Sequence, residues 1–181
     1  MMAIDEWLPR YQVSASYSLL VHASEEKTYA ALKRANFSDL AIVRGLTRLR
    51  GYRIGGGKIP SSNVRHDGRD PFLELAAIPP RELVLGITGR FWRPDGGIVR
   101  GLTPEEFADF HREGYAKAVW NFSLAHSDGG TRLSTETRVH TFGRFATLIF
   151  RAYWTLVSPF SGLIRKAMLR EVKRIAERAT V

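Results

Sequence analysis

Apolar and polar residues alternate in several segments of the chain, and this period of two predicts β-strands. The first segment, 11–23, is rich in β-branched and aromatic residues. Two longer segments, 115–127 and 131–141, flank the sequence Asp128-Gly129-Gly130, which is typical of a hairpin turn. Another pair, 72–78 and 82–92, is separated by two prolines and predicts a second hairpin. We therefore expect an antiparallel sheet.

Helix signals lie between and before these strands. Ser24 is placed to cap a helix with an acidic first turn, and a second helix start follows at Ser38. Two short helices are therefore expected directly after the first strand. Thr103 and Pro104 predict one more short helical turn, because proline suits the first position of a helix.

The segment 145–164 is long and mostly apolar, which raises the question of a membrane span. Arg151 near its middle would cost about 2.5–3.5 kcal/mol at the centre of a bilayer. Ser158 and Pro159 also interrupt the apolar run, and they predict two helical segments, 144–157 and 159–178, joined at a kink. We favour a helix packed on the protein's own sheet over an anchored or spanning helix.

Helical spacing supports this interpretation. An apolar stripe at i, i+3 and i+4 comprises Phe145, Leu148, Ile149, Ala152, Leu156, Phe160, Leu163, Ile164, Ala167, Met168, Val172 and Ile175. We place the basic residues on the opposite face: Arg165, Lys166, Arg170, Lys173, Arg174 and Arg178. The 115–127 strand offers a matching apolar face, consisting of Ala118, Trp120, Phe122 and Leu124, and the other face of this hairpin is expected to be wet.

Residues 51–71 are dominated by Gly, Pro, Ser and Asn and predict a long mobile loop. The Gly-Gly-Gly-Lys stretch within it lacks the spacing of a phosphate-binding loop, and Ile59 stands where Ser or Thr would bind magnesium. Pro60 likewise breaks the dinucleotide-binding pattern. We expect no nucleotide and no other cofactor.

The length of 181 residues fits a single domain spanning 1–181. There are no cysteines, which excludes disulfides and thiolate sites and suits a reducing cytoplasm. The acidic start of the chain, with Pro9, does not resemble a signal peptide, so a cytoplasmic location is expected. The net charge is +9, of which +6 lies from Arg144 onward. Such a basic segment suits a solvated helix face, and it would also attract an anionic membrane surface, an acidic partner or nucleic acid.

The order of elements, a strand, two short helices, antiparallel strands and one long C-terminal helix, resembles the helix-grip fold of the SRPBCC superfamily. That superfamily includes START lipid-transfer domains, birch-pollen-allergen-like proteins and aromatic polyketide cyclases. Residues 107–169 are most similar to its uncharacterised bacterial members. The resemblance implies an α+β fold with a curved antiparallel sheet of six or seven strands around the C-terminal helix. It also implies an elongated apolar cavity between sheet and helix.

Several residues are candidates for lining such a cavity. They are Trp92, Tyr115, Trp120, Phe122, Tyr153, Leu156 and Phe160. Acid–base chemistry would fall to His111, Arg90 or Tyr153. The five histidines show no metal-ligand spacing, so no metal site is expected, and there is no serine-nucleophile motif.

Four functions remain open at this point. The first is binding of a small hydrophobic ligand, such as a lipid, isoprenoid or polyketide, in the internal cavity. The second is an enzyme of cyclase, dehydratase or hydrolase type that uses the same cavity. A weak contact between the basic helix and an anionic membrane is the third. Nucleic-acid binding is the least favoured, because no base-reading motif accompanies the positive charge.

Overall fold

The computed structural model describes residues 2–37, 72–93, 95 and 97–178. Its strands are β1 (Val13–Val21), β2 (Leu73–Ile78), β3 (Glu82–Gly89), β4 (Ala116–Ser127) and β5 (Gly130–Thr141). The helices are α1 (Ala3–Trp7), α2 (Glu25–Arg34), α3 (Pro104–Asp109) and α4 (Arg144–Arg178). All strands join one antiparallel sheet in the order β1-β5-β4-β3-β2. The predicted α+β helix-grip arrangement is confirmed.

The strand number differs from the prediction. The described residues contain five strands, where six or seven were expected. After β3 the chain forms only a single bridge between Thr88 and Val99 and does not continue into a ladder. The second predicted helix, starting at Ser38, and the predicted loop 51–71 lie outside the described residues.

Local signals set the other boundaries. Ser24 Oγ accepts a hydrogen bond from the Lys27 N–H (3.3 Å) at the start of α2. Thr103 Oγ1 accepts from the Glu106 N–H (3.2 Å), and the Glu106 carboxylate accepts from the Thr103 N–H (2.8 Å). The hairpin at 128–130 is confirmed, with Gly129 in a left-handed conformation (φ +82°) that suits glycine.

Side chains alternate between two faces of the sheet, here called the inner face, which carries Trp120, and the outer face, which carries Val119. The inner face packs against α2 and the C-terminal half of α4. Its buried core includes Val21, Leu83, Leu85, Phe122, Leu133, Met168, Leu169 and Val172. This arrangement confirms the prediction that the apolar face of the 115–127 strand meets the C-terminal helix.

The outer face is drier than predicted. Beneath β3 and β4 it is covered by α1 and α3, which bury Ile4 and Phe107 against Val84 and Val119. Gly86 allows this close packing, because an added Cβ would lie 2.9 Å from the Phe107 ring. The outer face of the β4–β5 hairpin was expected to be exposed to solvent, but Arg138 on this face is buried. Its guanidinium pairs with Glu136 (2.7 Å) and Asp5 (2.9 Å).

A buried carboxylate holds α1 in place. Glu82 accepts hydrogen bonds from the backbone N–H groups of Ala3 (2.7 Å) and Ile4 (3.4 Å), which are the free donors at the start of the helix. The Asn121 amide donates to the same carboxylate (2.7 Å). A five-residue helix is marginal alone, so these contacts and the burial of Ile4 account for its formation.

The C-terminal helix is continuous from Arg144 to Arg178, with Pro159 inside it. The predicted division at Ser158-Pro159 was therefore wrong. Pro159 and Thr155, whose carbonyl loses a helical donor, are both exposed, so water can satisfy that carbonyl. No helix among the described residues has an apolar run sufficient to cross a bilayer.

Removing the Glu82 carboxylate should release α1. In Glu82→Ala three donors lose their acceptor, and each buried donor left unsatisfied costs about 1–3 kcal/mol. We expect the free energy of unfolding, measured in urea, to fall by at least about 2 kcal/mol. Glu74→Ala, which removes a partly exposed ion pair with Lys33, should cost about 0–1 kcal/mol. Equal losses in the two variants would contradict this role of Glu82.

Candidate functional site

Trp120 lies at the centre of the inner face. It is 6% exposed, and the Phe72 ring meets it edge-on at a centroid distance of 5.1 Å. Phe122, the next inner-face residue of β4, is fully buried and stacks on Phe37 at 5.9 Å. Two of the predicted ligand-binding residues thus lie side by side in the layer between sheet and helix. Their position is the one in which the resemblance implied a cavity wall.

Several buried polar atoms have no hydrogen-bond partner among the described residues, and two of them belong to the inner face of the sheet. They are the indole Nε1 of Trp120 and the hydroxyl Oγ1 of Thr137. The two residues are directly paired across β4 and β5, so their side chains are neighbours on the inner face. A buried polar atom without a partner is costly, and such atoms are uncommon in folded proteins. This pair marks the part of the layer where a bound molecule would find free hydrogen-bonding groups.

Arg165 was expected on the polar face of α4, and the structure corrects this. Its guanidinium lies over the Trp120 ring at 5.0 Å, and the side chain is only partly exposed. Burial lowers the pKa of Arg165 to about 10, and the nearby Tyr17 partly opposes this effect. The sequence carried a signal for this position, because Arg165 precedes Met168, Leu169 and Val172 by three, four and seven residues. Its positive charge concealed that helical spacing.

A second aromatic group lies beside the N-terminal half of α4. Trp92 contacts Phe150 at 6.1 Å, and Tyr153 contacts the same ring at 5.9 Å. These residues pack with Ala116, Ala118 and Val139 of the inner face, in a cluster separate from that of Trp120. Trp92 and Tyr153 thus contact the same ring, and their role in lining a ligand site stays a prediction.

The remaining acid–base candidates do not converge. Arg90 stacks on the Tyr115 ring at 4.3 Å, and Tyr115 in turn contacts Phe110 at 5.7 Å. The Nε of Arg90 is buried without a hydrogen-bond partner among the described residues. His111 is exposed, and Tyr153 belongs to the cluster around Phe150. The structure therefore brings Arg90 to Tyr115 but does not join Arg90, His111 and Tyr153 in one site.

Leu156 and Phe160 occupy a different surface from the one predicted. They are 72% and 45% exposed and point away from the sheet, so they do not line the layer between sheet and helix. The N-terminal half of α4 carries apolar residues on both sides: Ala146 and Phe150 are buried, while Phe145 is exposed. A helix that is apolar on all sides does not reveal from sequence which side is covered.

Two basic side chains, Lys117 and His140, lie on the outer face of the sheet near α3. Lys117 donates a hydrogen bond to the Ala108 carbonyl (2.7 Å), and burial lowers its pKa while Asp109 opposes this effect. His140 lies directly opposite Lys117 in the sheet. Burial lowers the pKa of His140, a backbone contact with Arg10 raises it in part, and the Lys117 cation lowers it further.

The hairpin end of the sheet carries a shallow open cleft. Its lining residues are His22, Ala23, Ser24, Glu25, Glu26, His126, Gly129, Gly130 and Thr131. His22 Nδ1 lies 3.1 Å from the Gly129 carbonyl oxygen, so that ring nitrogen already has a hydrogen-bond partner. Throughout the described ranges, no cluster of three or more histidine or carboxylate side chains is placed to hold a metal ion.

Comparison with known proteins gives a structural likeness only. No protein-family profile matches the sequence, and no curated protein is similar to it. Among solved structures, protein NE0264 from Nitrosomonas europaea is similar over 92% of this chain and 96% of its own, with 11% identity and a TM-score of 0.45. An uncharacterised protein from Rhizobium leguminosarum is similar over 92% and 95%, with 9% identity and a TM-score of 0.42.

A third similar structure is the di-domain ARO/CYC StfQ from the steffimycin biosynthetic pathway. The likeness covers 93% of this chain and 52% of StfQ, with 17% identity and a TM-score of 0.39. Likeness at this level gives no substrate or activity for the chain, so function must be argued from its own residues.

His140 should make stability depend on pH. Its pKa is lowered in the folded state, so the unfolded chain takes up the proton first as pH falls. The contribution of His140 to the free energy of unfolding is therefore full above pH 6.5 and decreases as pH falls below that value. We expect His140→Gln to lose less stability than the parent between pH 7.5 and 5.5, measured by urea unfolding. His126→Gln, which removes an exposed imidazole, serves as the control. Identical pH profiles for the parent and His140→Gln would refute this contribution of His140 to stability.

Proposed function

We propose that the protein binds a small hydrophobic molecule, such as a lipid, isoprenoid or polyketide, between the inner face of the sheet and α4. The observation that carries this proposal is the surroundings of Trp120, a buried aromatic surface with free polar atoms at Trp120 Nε1 and Thr137 Oγ1. Ligand sites generally combine apolar walls with a few polar groups that orient the ligand. Membership of the SRPBCC superfamily, with its cavity between sheet and helix, is part of the same proposal.

An enzyme using the same space is the alternative. Acid–base catalysis needs two polar groups within hydrogen-bond reach of the reacting atoms. Among the described residues, Arg90, His111 and Tyr153 lie in separate surroundings, so the geometry favours binding over catalysis. Cyclase, dehydratase or hydrolase chemistry would require a group other than a pairing of these three.

The direct test is to identify what accompanies the protein. Protein made in bacteria is examined by native mass spectrometry, and the organic extract of the same sample is analysed in parallel. We expect a species heavier than the bare chain that converts to the bare mass after extraction. Only the bare mass, together with no binding of the neutral dye Nile red, would contradict the proposal.

Trp120→Ala separates a ligand-lining role from ordinary core packing. Loss of a buried tryptophan side chain costs about 3–5 kcal/mol in a filled core, and the low end is expected beside space that accepts a ligand. We expect Nile red affinity to fall at least tenfold while the variant remains folded at 25 °C.

Val119→Ala is the matched control, because Val119 is the adjacent fully buried residue of β4 on the outer face. It should lower the melting temperature without changing dye affinity. Equal dye binding by Trp120→Ala and the parent would remove Trp120 from the site.

A second candidate function, contact with an anionic membrane surface, rests on a separate observation. Five large apolar side chains are exposed on one side of the N-terminal two-thirds of α4: Phe145, Leu148, Leu156, Phe160 and Leu163. Successive positions in this set are three, four or eight residues apart, which corresponds to about one or two helical turns. They therefore lie on one side of the helix and form a continuous stripe, here called the α4 stripe. A contiguous apolar surface of this kind marks an interaction site.

Charge favours a lipid surface as the occupant. Exposed basic residues accompany the α4 stripe: Arg144, Arg151, Lys166, Arg170 and Arg174. The helix has no acidic residue before Glu171. Two copies of a chain with net charge +9 repel each other, whereas anionic lipid attracts each basic residue by about 1 kcal/mol near the surface. We propose that α4 lies along the surface of an anionic bilayer, with its apolar side chains at the headgroup boundary.

Vesicle sedimentation tests this contact. We expect the protein to pellet with phosphatidylcholine vesicles containing phosphatidylserine, less so with pure phosphatidylcholine, and less as salt increases. Phe145→Gln/Leu156→Gln should weaken binding at least about tenfold, because burial of each apolar side chain is worth about 1.5 kcal/mol or more. Folding should be unaffected, since both positions are exposed.

Ile78→Gln, which removes an exposed apolar side chain on β2, serves as the matched control. Binding that survives the double substitution would contradict the membrane contact. If instead the parent forms a dimer and the same double substitution abolishes it, the α4 stripe is an interface with a second copy of the chain.

A further inference from the structure

Arg165 is a partly exposed cation that reaches into the mainly apolar layer between sheet and α4. Helix α4 approaches β1 closely at Gly162, where an added Cβ would lie 2.5 Å from the Tyr17 hydroxyl, and Arg165 follows one turn later. Its guanidinium lies 5.0 Å from the centre of the Trp120 ring. The side chain is therefore directed between helix and sheet, toward the residues proposed to bind a ligand.

No carboxylate compensates this charge within the described part of the chain. The ion pairs of α4 there are Lys173–Glu177 and Arg174–Glu171, both beyond Arg165. Burying a cation without an anion is unfavourable, and the interaction with an aromatic face offsets only part of that cost. Burial lowers the pKa of Arg165 to about 10, and the nearby Tyr17 opposes this effect only in part.

Two further hydrogen-bond donors belong to Trp120 and its cross-strand neighbour. The indole N–H of Trp120 is buried without an acceptor, and the Thr137 hydroxyl, paired across the strands with Trp120, is also free. Guanidinium, indole N–H and hydroxyl together offer donors and no negative charge. Arginine's planar fork matches the two oxygens of a carboxylate or the oxygens of a phosphate ester.

We infer that the ligand is an amphiphile with an anionic head, a carboxylate or a phosphate ester, that pairs with Arg165 beside Trp120 and Thr137 while its apolar part occupies the layer between sheet and α4. This inference rests on the proposed ligand-binding function and adds the charge of the ligand to it. A neutral hydrocarbon or alcohol would leave Arg165 unpaired and would bind more weakly. The anion supplies from outside the counter-charge that the described chain lacks around this residue.

The test compares probes that differ only in the head or in the chain. Laurate and 1-dodecanol share an alkyl chain but differ in charge, and acetate has the carboxylate without the chain. Affinities are measured below the micelle concentration by displacement of Nile red and by the rise in melting temperature. We expect laurate to bind the parent at least tenfold more tightly than 1-dodecanol, and acetate to give no shift at the same concentration.

Arg165→Met should bind laurate no better than 1-dodecanol, because the anionic head has lost its partner. Arg178→Met, which removes an exposed arginine from the C-terminal end of the same helix, should keep the preference of the parent. An equal affinity of the parent for laurate and 1-dodecanol would overturn the anionic head and leave the hydrophobic ligand in place. So would a laurate preference that persists in Arg165→Met.

Two outcomes concern the apolar part of the ligand. If acetate alone reproduces the laurate shift, the site binds a free anion and the amphiphile is wrong. If neither laurate nor 1-dodecanol binds the parent, the proposed ligand-binding function falls as well, and this inference falls with it. The comparison in the parent protein needs no variant, so it holds even if Arg165→Met does not fold.

Discussion

The pairing of β4 with β5 sets the position of the described helices that pack on the two faces of the sheet. Twelve residue pairs, from Ala116↔Thr141 to Ser127↔Gly130, hold this hairpin in one register. Because strand side chains alternate, a shift of one residue would move Trp120 to the outer face and Asn121 to the inner one. It would also separate Asn121 from Glu82, which is the carboxylate that anchors α1. The long helix and the short N-terminal helix therefore depend on the same ladder.

The long helix has a different character along its two halves. Toward its C-terminus it is amphipathic, with Met168 and Val172 covered by the sheet and Arg170 and Arg174 in solvent, while Arg165 points toward the sheet. Toward its N-terminus one side covers the sheet through Phe150, and the other side exposes Phe145 and Leu156. One helix thus closes the apolar interior and presents an apolar surface outside. The two surfaces are separated by one helix diameter, about 10 Å.

Features governed by near neighbours in the chain could be predicted from sequence. The turn at Asp128-Gly129-Gly130 and the caps at Ser24 and Thr103 follow from residues within a few positions, and the structure contains them all. Alternation in β4 likewise placed Trp120 on the covered face. These features need no knowledge of distant residues, which explains why the outline of the fold is readable.

Features governed by distant contacts were missed. Helix α1 has weak local signals and depends on Glu82, which is 79 residues away from Ala3. The inward direction of Arg165 was hidden because a positive charge is normally assigned to solvent, although its spacing from Met168 is that of a buried position. The exposure of Leu156 could not be foreseen either, since both sides of that part of the helix are apolar.

The anchoring of α1 has a consequence for how the protein is presented to its surroundings. Ala3 is fixed to Glu82 and Ile4 is buried on the outer face, while α4 lies across the inner face. Anything joined ahead of Met2 therefore emerges on the side of the sheet opposite the long helix. A molecule tethered to a solid support through its N-terminus would hold α4 away from that support, open to vesicles and small molecules in the flowing solution.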